Sequence, residues 1–599
     1  MLTQERYRAH SVTREDRADG AILLRSTHAL GPVADRTTDW LHHWADATPD
    51  AVFLAERCGP GWREVSYAGA LEQVRAIAAA LLTRGMGAGT PIVIISGNAV
   101  DHALLTLAAQ YVGVPTVPVA EQYALIPAAR GHLAHAVQVV RPAMVYAADL
   151  DRFGAALTSD LFDGMERVAS AGTAPGVTPF SDLLAGGGAD VDAANAAIGP
   201  DTVAKILMTS GSTSSPKGVL TTHRMMCTNQ AQLGVALPFL RTHPPVILDW
   251  LPWNHVFGGS HNFNMVLANG GALYIDGGKP VPGLIDHTIE NQRMIAGTIA
   301  FNVPVGFAML RDAMKRDTQL RQRYFENLDM LFYAGASLPQ DVWADLEDMA
   351  REVRGEVPLM TSSWGLTETA PACLIQHEPT TRSGIVGVPV AGVTVKLIPD
   401  EDMRCEVRVK GPTITPGYFE DPEKTAEAFD EEGYFRTGDA MTFVDPADIN
   451  KGLRFDGRIS EDFKLLSGTW VRAANLRLDL LSALAGLAQD VVLTGADRSE
   501  IGLMVIPAPD VRARADVREA DGALISPSAA AEISERLRAR PVEGSSTRIT
   551  RALILSEPPS IATGEFTAKG NINFRKLLTL RAALLDRLYD DADAATILI

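Results

Sequence analysis

A run of hydroxyls and glycines that ends in a lysine is the segment of this sequence best suited to chemistry. Residues 208–218 read MTSGSTSSPKG. Glycine lets backbone N–H groups approach an anion, hydroxyls donate further hydrogen bonds, and the Lys217 ammonium adds a mobile positive charge. A P-loop needs a glycine directly before its lysine and Ser or Thr after it, but Pro216 and Gly218 stand there. The segment therefore predicts a polyphosphate-binding loop of another kind.

Further short motifs follow this loop along the chain. Taken singly, each has a simple structural explanation, because a Thr-Glu pair often caps a helix, Gly-Asp often forms a turn, and most arginines lie at the surface. In their order they resemble the signature motifs of the adenylate-forming superfamily, which includes acyl-CoA synthetases, luciferases and peptide-synthetase adenylation domains. The motifs are YAGAS at 333–337, SWGLTET at 363–369, GYFRTGD at 433–439, DGR at 456–458 and TGEFTAKG at 563–570.

The resemblance implies a two-step reaction in which ATP converts a carboxylate to an acyl-AMP and CoA then displaces AMP. Negative charges crowd together in the first step, so the site must supply preorganised cations and hydrogen-bond donors. In the superfamily the loop cradles the β- and γ-phosphates, and a small-residue turn packs against adenine. The residues that match these two elements are Thr209, Ser210, Gly211, Ser212, Thr213 and Lys217, followed by Gly335, Ala336 and Ser337.

The other motifs imply catalytic and ribose-binding roles. Thr367 would donate to the α-phosphate, and Glu368 would hold Mg²⁺, a hard cation that prefers oxygen ligands. Asp439 would accept from both ribose hydroxyls with support from Arg458. Lys569 would bridge the substrate carboxylate and the α-phosphate. The resemblance also places Trp364, Gly365 and Lys464 among the residues that contact the nucleotide or adenylate.

His255 lies in the segment WNHVFGG at residues 253–259. A lone histidine beside aromatic residues is commonly a satisfied core residue. Its position about forty residues after the phosphate loop matches the superfamily's aromatic and histidine element, so we favour a catalytic role at the acyl pocket and CoA tunnel. The pocket is expected to draw on residues 255–264, 301–306 and 333–336, where the amides of Asn262, Asn264 and Asn302 could bind a buried phenol.

The segment after the hinge motif indicates a branch of the superfamily. Gly468 lies four residues after Lys464, and Trp470 follows, which departs from the Lys-x-x-Gly spacing of most acyl-CoA ligases. Together with residues 41–49 and 564–575, this feature resembles the feruloyl-CoA synthetase branch of the superfamily. The resemblance implies ferulate or another hydroxycinnamate as substrate. A medium-chain fatty acid, loading of a carrier protein, and a non-enzymatic nucleotide sensor are the alternatives. The departure leaves the hinge and CoA contacts open, with Ser460 or Glu461 as pivot and Arg472 and Arg477 as phosphate partners.

Alternating strand-like and helix-like segments predict an α/β fold. Residues 91–96 and 114–119 read as buried parallel strands, and residues 66–84 and 99–112 as helices. From about 380 to 445 the pattern changes to short strands of alternating polarity with turn residues between them. Together with the motif order, this predicts a large N-terminal domain of parallel sheets covered by helices plus a small β-barrel-like subdomain (1–456). The resemblance implies that a smaller, mobile α+β domain follows the hinge motif (457–599).

Composition limits the partners. The chain of 599 residues has a net charge of −18 without a long basic block, which argues against nucleic acid and anionic membranes as partners. ATP and CoA must therefore be held by local positive groups. Four scattered cysteines and a polar start predict a cytoplasmic protein without a disulfide scaffold, a membrane span or a signal peptide. The partners are then small molecules, and the chain is compatible with a homodimer.

Overall fold

The structure is a computed structural model that describes residues 6–209, 216–566 and 572–599. The predicted site residues Ser210, Gly211, Ser212, Thr213 and Lys569 lie outside the described residues. Its strands are, in chain order, β1 (Val12–Asp16), β2 (Ile22–Ser26), β3 (Val52–Cys58), β4 (Gly61–Ser66), β5 (Ile92–Ile94), β6 (Thr116–Pro118), β7 (Met144–Asp149), β8 (Glu166–Ala171), β9 (Val177–Pro179), β10 (Val203–Thr209), β11 (Lys217–Thr222), β12 (Val246–Asp249), β13 (Ala272–Ile275), β14 (Ile299–Asn302), β15 (Met330–Tyr333), β16 (Leu359–Thr361), β17 (Ser363–Gly365), β18 (Ala372–Ile375), β19 (Ile385–Pro389), β20 (Thr394–Pro399), β21 (Cys405–Lys410), β22 (Phe435–Phe443), β23 (Leu453–Arg458), β24 (Phe463–Lys464), β25 (Trp470–Val471), β26 (Ala488–Thr494), β27 (Ile501–Pro507), β28 (Arg518–Ala520), β29 (Ala523–Ile525), β30 (Ile549–Leu555) and β31 (Ile597–Leu598).

Helices connect and cover these strands. None of the helices in the described ranges combines the length and apolar character needed to cross a bilayer. The α-helices are α1 (Thr37–Ala47), α2 (Tyr67–Thr83), α3 (Val100–Tyr111), α4 (Glu121–Leu125), α5 (Arg130–Val140), α6 (Leu150–Leu157), α7 (Ser181–Leu184), α8 (Val191–Ala196), α9 (His223–Ala236), α10 (Phe263–Ala268), α11 (Ile285–Met294), α12 (Pro304–Arg316), α13 (Thr318–Phe325), α14 (Gln340–Arg354), α15 (Pro422–Ala428), α16 (Ala473–Ala483), α17 (Pro509–Arg512), α18 (Pro527–Ala539), α19 (Phe574–Leu580) and α20 (Ala582–Leu588).

A seven-stranded sheet carries the phosphate loop. Its order is β11-β10-β6-β5-β7-β8-β9, and every pair is parallel except β10 with β11. The apolar run of β5 is fully buried, as expected for a parallel strand covered by helices on both faces. The structure thus confirms the predicted strand–helix–strand succession β5, α3 and β6, and the helix α2 that Ser66 caps through its side chain.

Two smaller groups of parallel strands end on the same side of the molecule. Strands β12, β13 and β3 pair in parallel, and so do β14, β15 and β16. The backbone N–H of Thr298 donates to the Val246 carbonyl (2.9 Å), and the Trp250 indole donates to the Asn302 side chain (3.2 Å). β12 and β14 therefore lie side by side at both ends. Their carboxyl ends present Asp249, Asn302 and Tyr333 to the same region.

A nine-stranded antiparallel sheet contains the strands predicted after residue 380. Its order is β1-β2-β20-β21-β22-β23-β19-β18-β17. The sequence did not indicate that the N-terminal hairpin β1–β2 joins this sheet, where Ile22 pairs with Leu397. The pairing joins residues that are remote along the chain, and the hairpin has no motif that specifies its distant partner. Its β2 face is buried against the sheet, which anchors the start of the chain.

The C-terminal residues form separate hydrophobic cores. Strands β26-β27-β30-β29-β28 form a mixed sheet, with β31 paired to β30. The buried apolar residues of this region, from Leu465 to Ala595, form clusters separate from those of the preceding chain. The fold class is thus α/β with a separate C-terminal region, as predicted. The boundary between residues 456 and 457 remains a prediction.

Arg404 bridges two carboxylates at this junction. Its guanidinium contacts Asp456 at the end of the nine-stranded sheet (2.8 Å) and Asp462 (2.7 Å). All three side chains are at most 10% exposed. The Asn475 amide on α16 donates to Asp456 as well (2.6 Å). Since both carboxylates are buried, they depend on Arg404 to balance their charge.

We expect Arg404→Met to destabilise the local structure around Asp456 and Asp462. Breaking a buried ion pair costs about 3–5 kcal/mol because it leaves an uncompensated charge. Hydrogen exchange of residues 459–475 should therefore accelerate by about a hundredfold or more. Arg472→Met is the matched control, because Arg472 forms exposed pairs with Asp400 and Asp402, and its loss should cost less than about 1 kcal/mol. Equal exchange in both variants would contradict the assigned role of Arg404.

Candidate nucleotide and acyl site

The predicted phosphate loop connects two antiparallel strands. Thr209 ends β10, Lys217 begins β11, and the two residues face each other in the register of the hairpin. This pairing fixes both ends of the loop on the seven-stranded sheet. On the neighbouring helix α5, the His135 imidazole contacts the Pro216 carbonyl (2.9 Å).

Tyr418 links the loop lysine to the predicted metal ligand. The Lys217 ammonium lies over the Tyr418 ring, 4.4 Å from its centroid, in a cation–π contact. The Tyr418 hydroxyl donates to the Glu368 carboxylate (3.2 Å). The sequence reasoning missed Tyr418. Although it follows a Thr-Pro-Gly turn at 415–417, nothing in the sequence connects it to a carboxylate fifty positions earlier.

The segment around Tyr418 also holds the backbone of this region together. The Thr415 N–H donates to the Glu368 carbonyl (2.8 Å), and the Thr415 hydroxyl donates to the Leu220 carbonyl on β11 (2.7 Å). The Phe419 N–H donates to the Gly218 carbonyl (2.7 Å). Residues 415–419 therefore fix the phosphate-loop hairpin and the Glu368 segment relative to each other.

Asp439 lies on strand β22 and is almost fully buried. One of its carboxylate oxygens accepts from the Trp364 indole N–H (2.9 Å), and the other lies 3.5 Å from the Arg458 guanidinium. Asp439 and Arg458 are paired across β22 and β23. Burial raises the pKa of Asp439, and the Arg458 charge and the Trp364 hydrogen bond partly offset this. The structure thus brings three predicted nucleotide-site residues together, on strands rather than in a simple turn.

Gly365 and Thr367 lie in a closely packed segment directly before Glu368. A Cβ on Gly365 would lie 1.6 Å from the Pro371 carbonyl oxygen, so a larger residue does not fit. Thr367 starts a 3₁₀ turn, Thr367–Thr369, that follows Leu366. Thr367 is therefore not the N-cap of an α-helix, which was the simple structural explanation for the Thr-Glu pair.

The predicted adenine-binding turn follows strand β15. Gly335 has φ +89°, a left-handed conformation that favours glycine. Gly335, Ala336 and Ser337 are exposed. The Tyr333 hydroxyl beneath them accepts from the Gly384 N–H (3.3 Å). The turn therefore exposes small residues above Tyr333, whose hydroxyl is held by a hydrogen bond.

His255 precedes a π-helix that spans Phe257–Asn262. Its ring Nδ1 accepts from the Phe257 N–H (3.3 Å), which orients the imidazole at the start of the helix. The Gly259 carbonyl in the middle accepts from the buried ammonium of Lys205. Burial lowers the pKa of Lys205 to about 8. Lys205 had not been identified from sequence, because a lysine on a central apolar strand carries no motif.

The amide side chains that were predicted to bind a phenol already form hydrogen bonds within the protein. Asn262 donates to the Asp249 carboxylate (2.8 Å), and its oxygen contacts His261 Nδ1 (2.9 Å). The oxygen of Asn302 accepts from Trp250 and from the Val303 N–H (2.9 Å). Asn262 therefore uses one donor and one acceptor of its amide within the protein, and its contact with a phenol stays a prediction.

Lys464, Arg472 and Arg477, which were predicted from the segment after the hinge, interact with groups other than Asp439 and Glu368. Lys464 lies over the Trp470 ring (4.8 Å) in the hairpin β24–β25. The charge of Arg472 is paired with Asp402 (2.7 Å), and that of Arg477 with Asp490. Burial raises the pKa of Glu461, one of the two pivot candidates.

The loop before Lys569 approaches the phosphate-loop side of the molecule. A Cβ on Gly564 would lie 3.7 Å from Cε1 of His132 on α5. His135, one turn further along the same helix, contacts Pro216. Helix α5 therefore contacts the loops that lead into the predicted catalytic lysine, Lys569, and the predicted phosphate-binding lysine, Lys217.

Several known sequences are similar to this chain. A 3-[(3aS,4S,7aS)-7a-methyl-1,5-dioxo-octahydro-1H-inden-4-yl]propanoyl:CoA ligase of Rhodococcus jostii is 28% identical over 72% of this chain and 81% of its own length. A long-chain-fatty-acid–CoA ligase of Salmonella typhimurium is 29% identical over 40% of this chain and 42% of its own. 4-Coumarate–CoA ligase 2 of Oryza sativa is 27% identical over 62% and 67%.

Solved structures share the fold. O-succinylbenzoate coenzyme A synthetase of Bacillus subtilis, determined in complex with AMP, superposes with a TM-score of 0.67 at 16% identity, covering 91% of this chain and 98% of that one. The profile of the AMP-binding enzyme family matches residues 41–419, more than half of the chain. The chain thus belongs to the AMP-binding enzyme family.

Proposed function

We propose that this protein is an ATP-dependent acid–CoA ligase that forms an acyl-AMP and then a thioester, with ferulate or a related hydroxycinnamic acid as substrate. The observation that carries the proposal is the joint placement of Lys217, Glu368 and Asp439. Through Tyr418 and Trp364, a cation, a metal-binding carboxylate and a ribose acceptor are held in defined positions. Polyphosphate, Mg²⁺ and ribose require these three kinds of group.

In the first half-reaction the substrate carboxylate attacks the α-phosphorus of ATP, and pyrophosphate leaves. The loop from Thr209 to Lys217 would hold the β- and γ-phosphates, and Thr367 would donate to the α-phosphate. Asp439 has one oxygen without a hydrogen-bond donor among the described residues, which suits a ribose hydroxyl. Lys569 would neutralise charge between carboxylate and α-phosphate as the new bond forms.

Glu368 fits a Mg²⁺ ion that arrives with ATP. No group of three or more His, Cys, Asp or Glu side chains in the described ranges is arranged to hold a metal ion. Mg²⁺ in nucleotide sites commonly takes one or two carboxylates and completes its coordination with phosphate oxygens and water. The ion would offset phosphate charge, while Glu368, oriented by Tyr418, would fix its position.

In the second half-reaction the CoA thiolate attacks the acyl carbonyl and AMP leaves. His255, oriented by its contact with the Phe257 N–H, lies between the aromatic segment and the π-helix and would line the path of the thiol. The aromatic residues of the predicted acyl pocket and the similarity to 4-coumarate–CoA ligase favour an aromatic acid. The similarity to a long-chain-fatty-acid–CoA ligase keeps a fatty acid, in particular a medium-chain one, as the second candidate.

A panel of acids separates these functions. With ATP, Mg²⁺ and CoA, we expect AMP release with 4-coumarate and ferulate at a higher kcat/KM than with octanoate. A preference for octanoate would overturn the aromatic substrate but leave the ligase class. Acyl transfer to a carrier protein without use of CoA would support carrier loading, and nucleotide binding without turnover would support a sensor.

Asp439→Asn should weaken nucleotide binding by roughly ten- to a hundredfold, because an amide replaces a charged acceptor. Since burial raises the pKa of Asp439, wild-type affinity should also fall with decreasing pH earlier than it would for an exposed aspartate. Protonation removes an acceptor, so affinity is retained above this pKa and lost below it. The matched control is Asp445→Asn, which removes a half-buried partner of the exposed Lys451. Isothermal titration with AMP measures both, and equal affinities would contradict the ribose role.

Lys569→Ala should separate the two half-reactions. Acyl-AMP formation should fall by about two to four orders of magnitude, the scale for loss of a key electrostatic group. Thioester formation from pre-made acyl-AMP and CoA should stay near the wild-type rate, since the lysine acts only while the acyl–phosphate bond forms. Lys576→Ala, an exposed lysine on α19, is the control. An equal loss in both half-reactions would indicate a structural role instead.

A further inference from the structure

A hydrogen-bonded chain leads from strand β12 into the aromatic cluster behind the π-helix. The Asp249 carboxylate accepts from the Asn262 amide N–H (2.8 Å), and the Asn262 oxygen faces His261 Nδ1 (2.9 Å). When Asp249 is ionised its carboxylate can only accept, so the Asn262 amide N–H points to Asp249 and the Asn262 oxygen to His261. His261 Nδ1 therefore carries the proton, and Nε2 presents a lone pair.

The free end of this chain is a buried acceptor. His261 is fully buried, and its Nε2 has no hydrogen-bond partner among the described residues. Burial lowers the pKa of His261 to about 4, so the ring is neutral at physiological pH. Leaving such an acceptor without a donor is unfavourable, and the Asp249–Asn262 chain prevents the ring from exchanging the roles of its two nitrogens.

An unpaired nitrogen alone does not mark a ligand site. His223 is equally buried and also has an unpaired Nε2. Its Nδ1 accepts from the Thr37 N–H (3.2 Å), however, so its Nε2 carries the proton. His261 differs because it offers an acceptor and because aromatic rings surround it.

Three phenylalanines surround the His261 ring. The ring centroids of Phe257, Phe301 and Phe332 lie 5.4, 5.6 and 5.1 Å from it. Phe301 and Phe332 are on strands β14 and β15, directly before Asn302 and the Tyr333–Ser337 turn. Phe257 is the most exposed of the three (8%) and begins the π-helix, an element that frequently occurs at functional sites. A substrate ring could therefore enter by displacement of Phe257.

We propose that His261 Nε2 accepts a hydrogen bond from the ring hydroxyl of a phenolic acid and so determines the specificity of the acyl site. The phenylalanines would pack against the substrate ring by edge and face contacts. An unsubstituted aromatic acid or a fatty acid would bury the same nitrogen without a donor. This inference rests on the proposed ligase function, and Asp249 and Asn262 act as positioning residues.

The test compares two acids that differ by one hydroxyl group. For the wild-type protein at pH 8, where Asp249, whose pKa burial raises to about 7, is ionised, kcat/KM should be about 10–100-fold higher for 4-coumarate than for cinnamate. His261→Leu should bring this ratio close to one. His261→Gln, whose amide oxygen can still accept, should retain part of the preference. The control His223→Leu should leave the ratio at the wild-type value.

The outcomes distinguish the inference from the function on which it rests. An unchanged ratio in His261→Leu, or a wild-type ratio below about two, would overturn the inference even though both acids are activated. If the leucine variant does not fold, the wild-type ratio and the glutamine variant decide in the same way. Activation of octanoate alone would overturn the phenolic substrate and leave the ligase class. Failure to activate any acid would overturn the proposed function itself.

Discussion

Tyr418 contacts two groups of opposite charge, and the candidate site depends on this residue. Lys217 and Glu368 are not joined by a salt bridge in the described part of the chain. Instead the ammonium lies on the face of the Tyr418 ring and the carboxylate accepts from its hydroxyl. Both charged groups are thereby oriented without being neutralised. A site for a polyanion and its metal ion needs this arrangement, because preorganised charge costs little reorganisation when the ligand binds.

Buried polar groups hold the acyl side of the site in a comparable way. The π-helix is held in its middle by the Lys205 ammonium and at its end by the Asp249 carboxylate. In a low-dielectric interior such contacts are strong, and an unpaired polar group is costly. The lowered pKa of Lys205 and the raised pKa of Asp249, each caused mainly by burial, reflect that cost. These two contacts stabilise the π-helix, which is a rare element.

The sequence predicted those parts of the fold whose signals are local. The apolar run of β5 and the periodicity of α3 identify a buried strand and its helix, and the motifs locate Asp439, Trp364 and Arg458. Gly438-Asp439 nevertheless lies within β22 rather than in a turn. Gly438 has φ +73° at a register shift between β21 and β22, so the strand accommodates the left-handed glycine at an irregularity of the pairing. The join of β1–β2 to β20 and the contact of Tyr418 with Glu368 depend on residues far apart in the chain. The availability of Asn262 likewise depended on Asp249 and His261, which only the folded structure brings together.

Helix α5 lies against two loops that lead into positively charged lysines, in a molecule that is acidic as a whole. The net charge of −18 opposes the binding of ATP and CoA, so cations must be gathered from distant segments. His132 and His135 are three residues apart and share one face of the helix. One lies beside Gly564 and the other contacts the Pro216 carbonyl. The loops that lead into Lys569 and Lys217 are thus both placed against the same rigid element. Residues more than three hundred positions apart can then act on one ligand, and the sequence between them is free to build the sheets that support both.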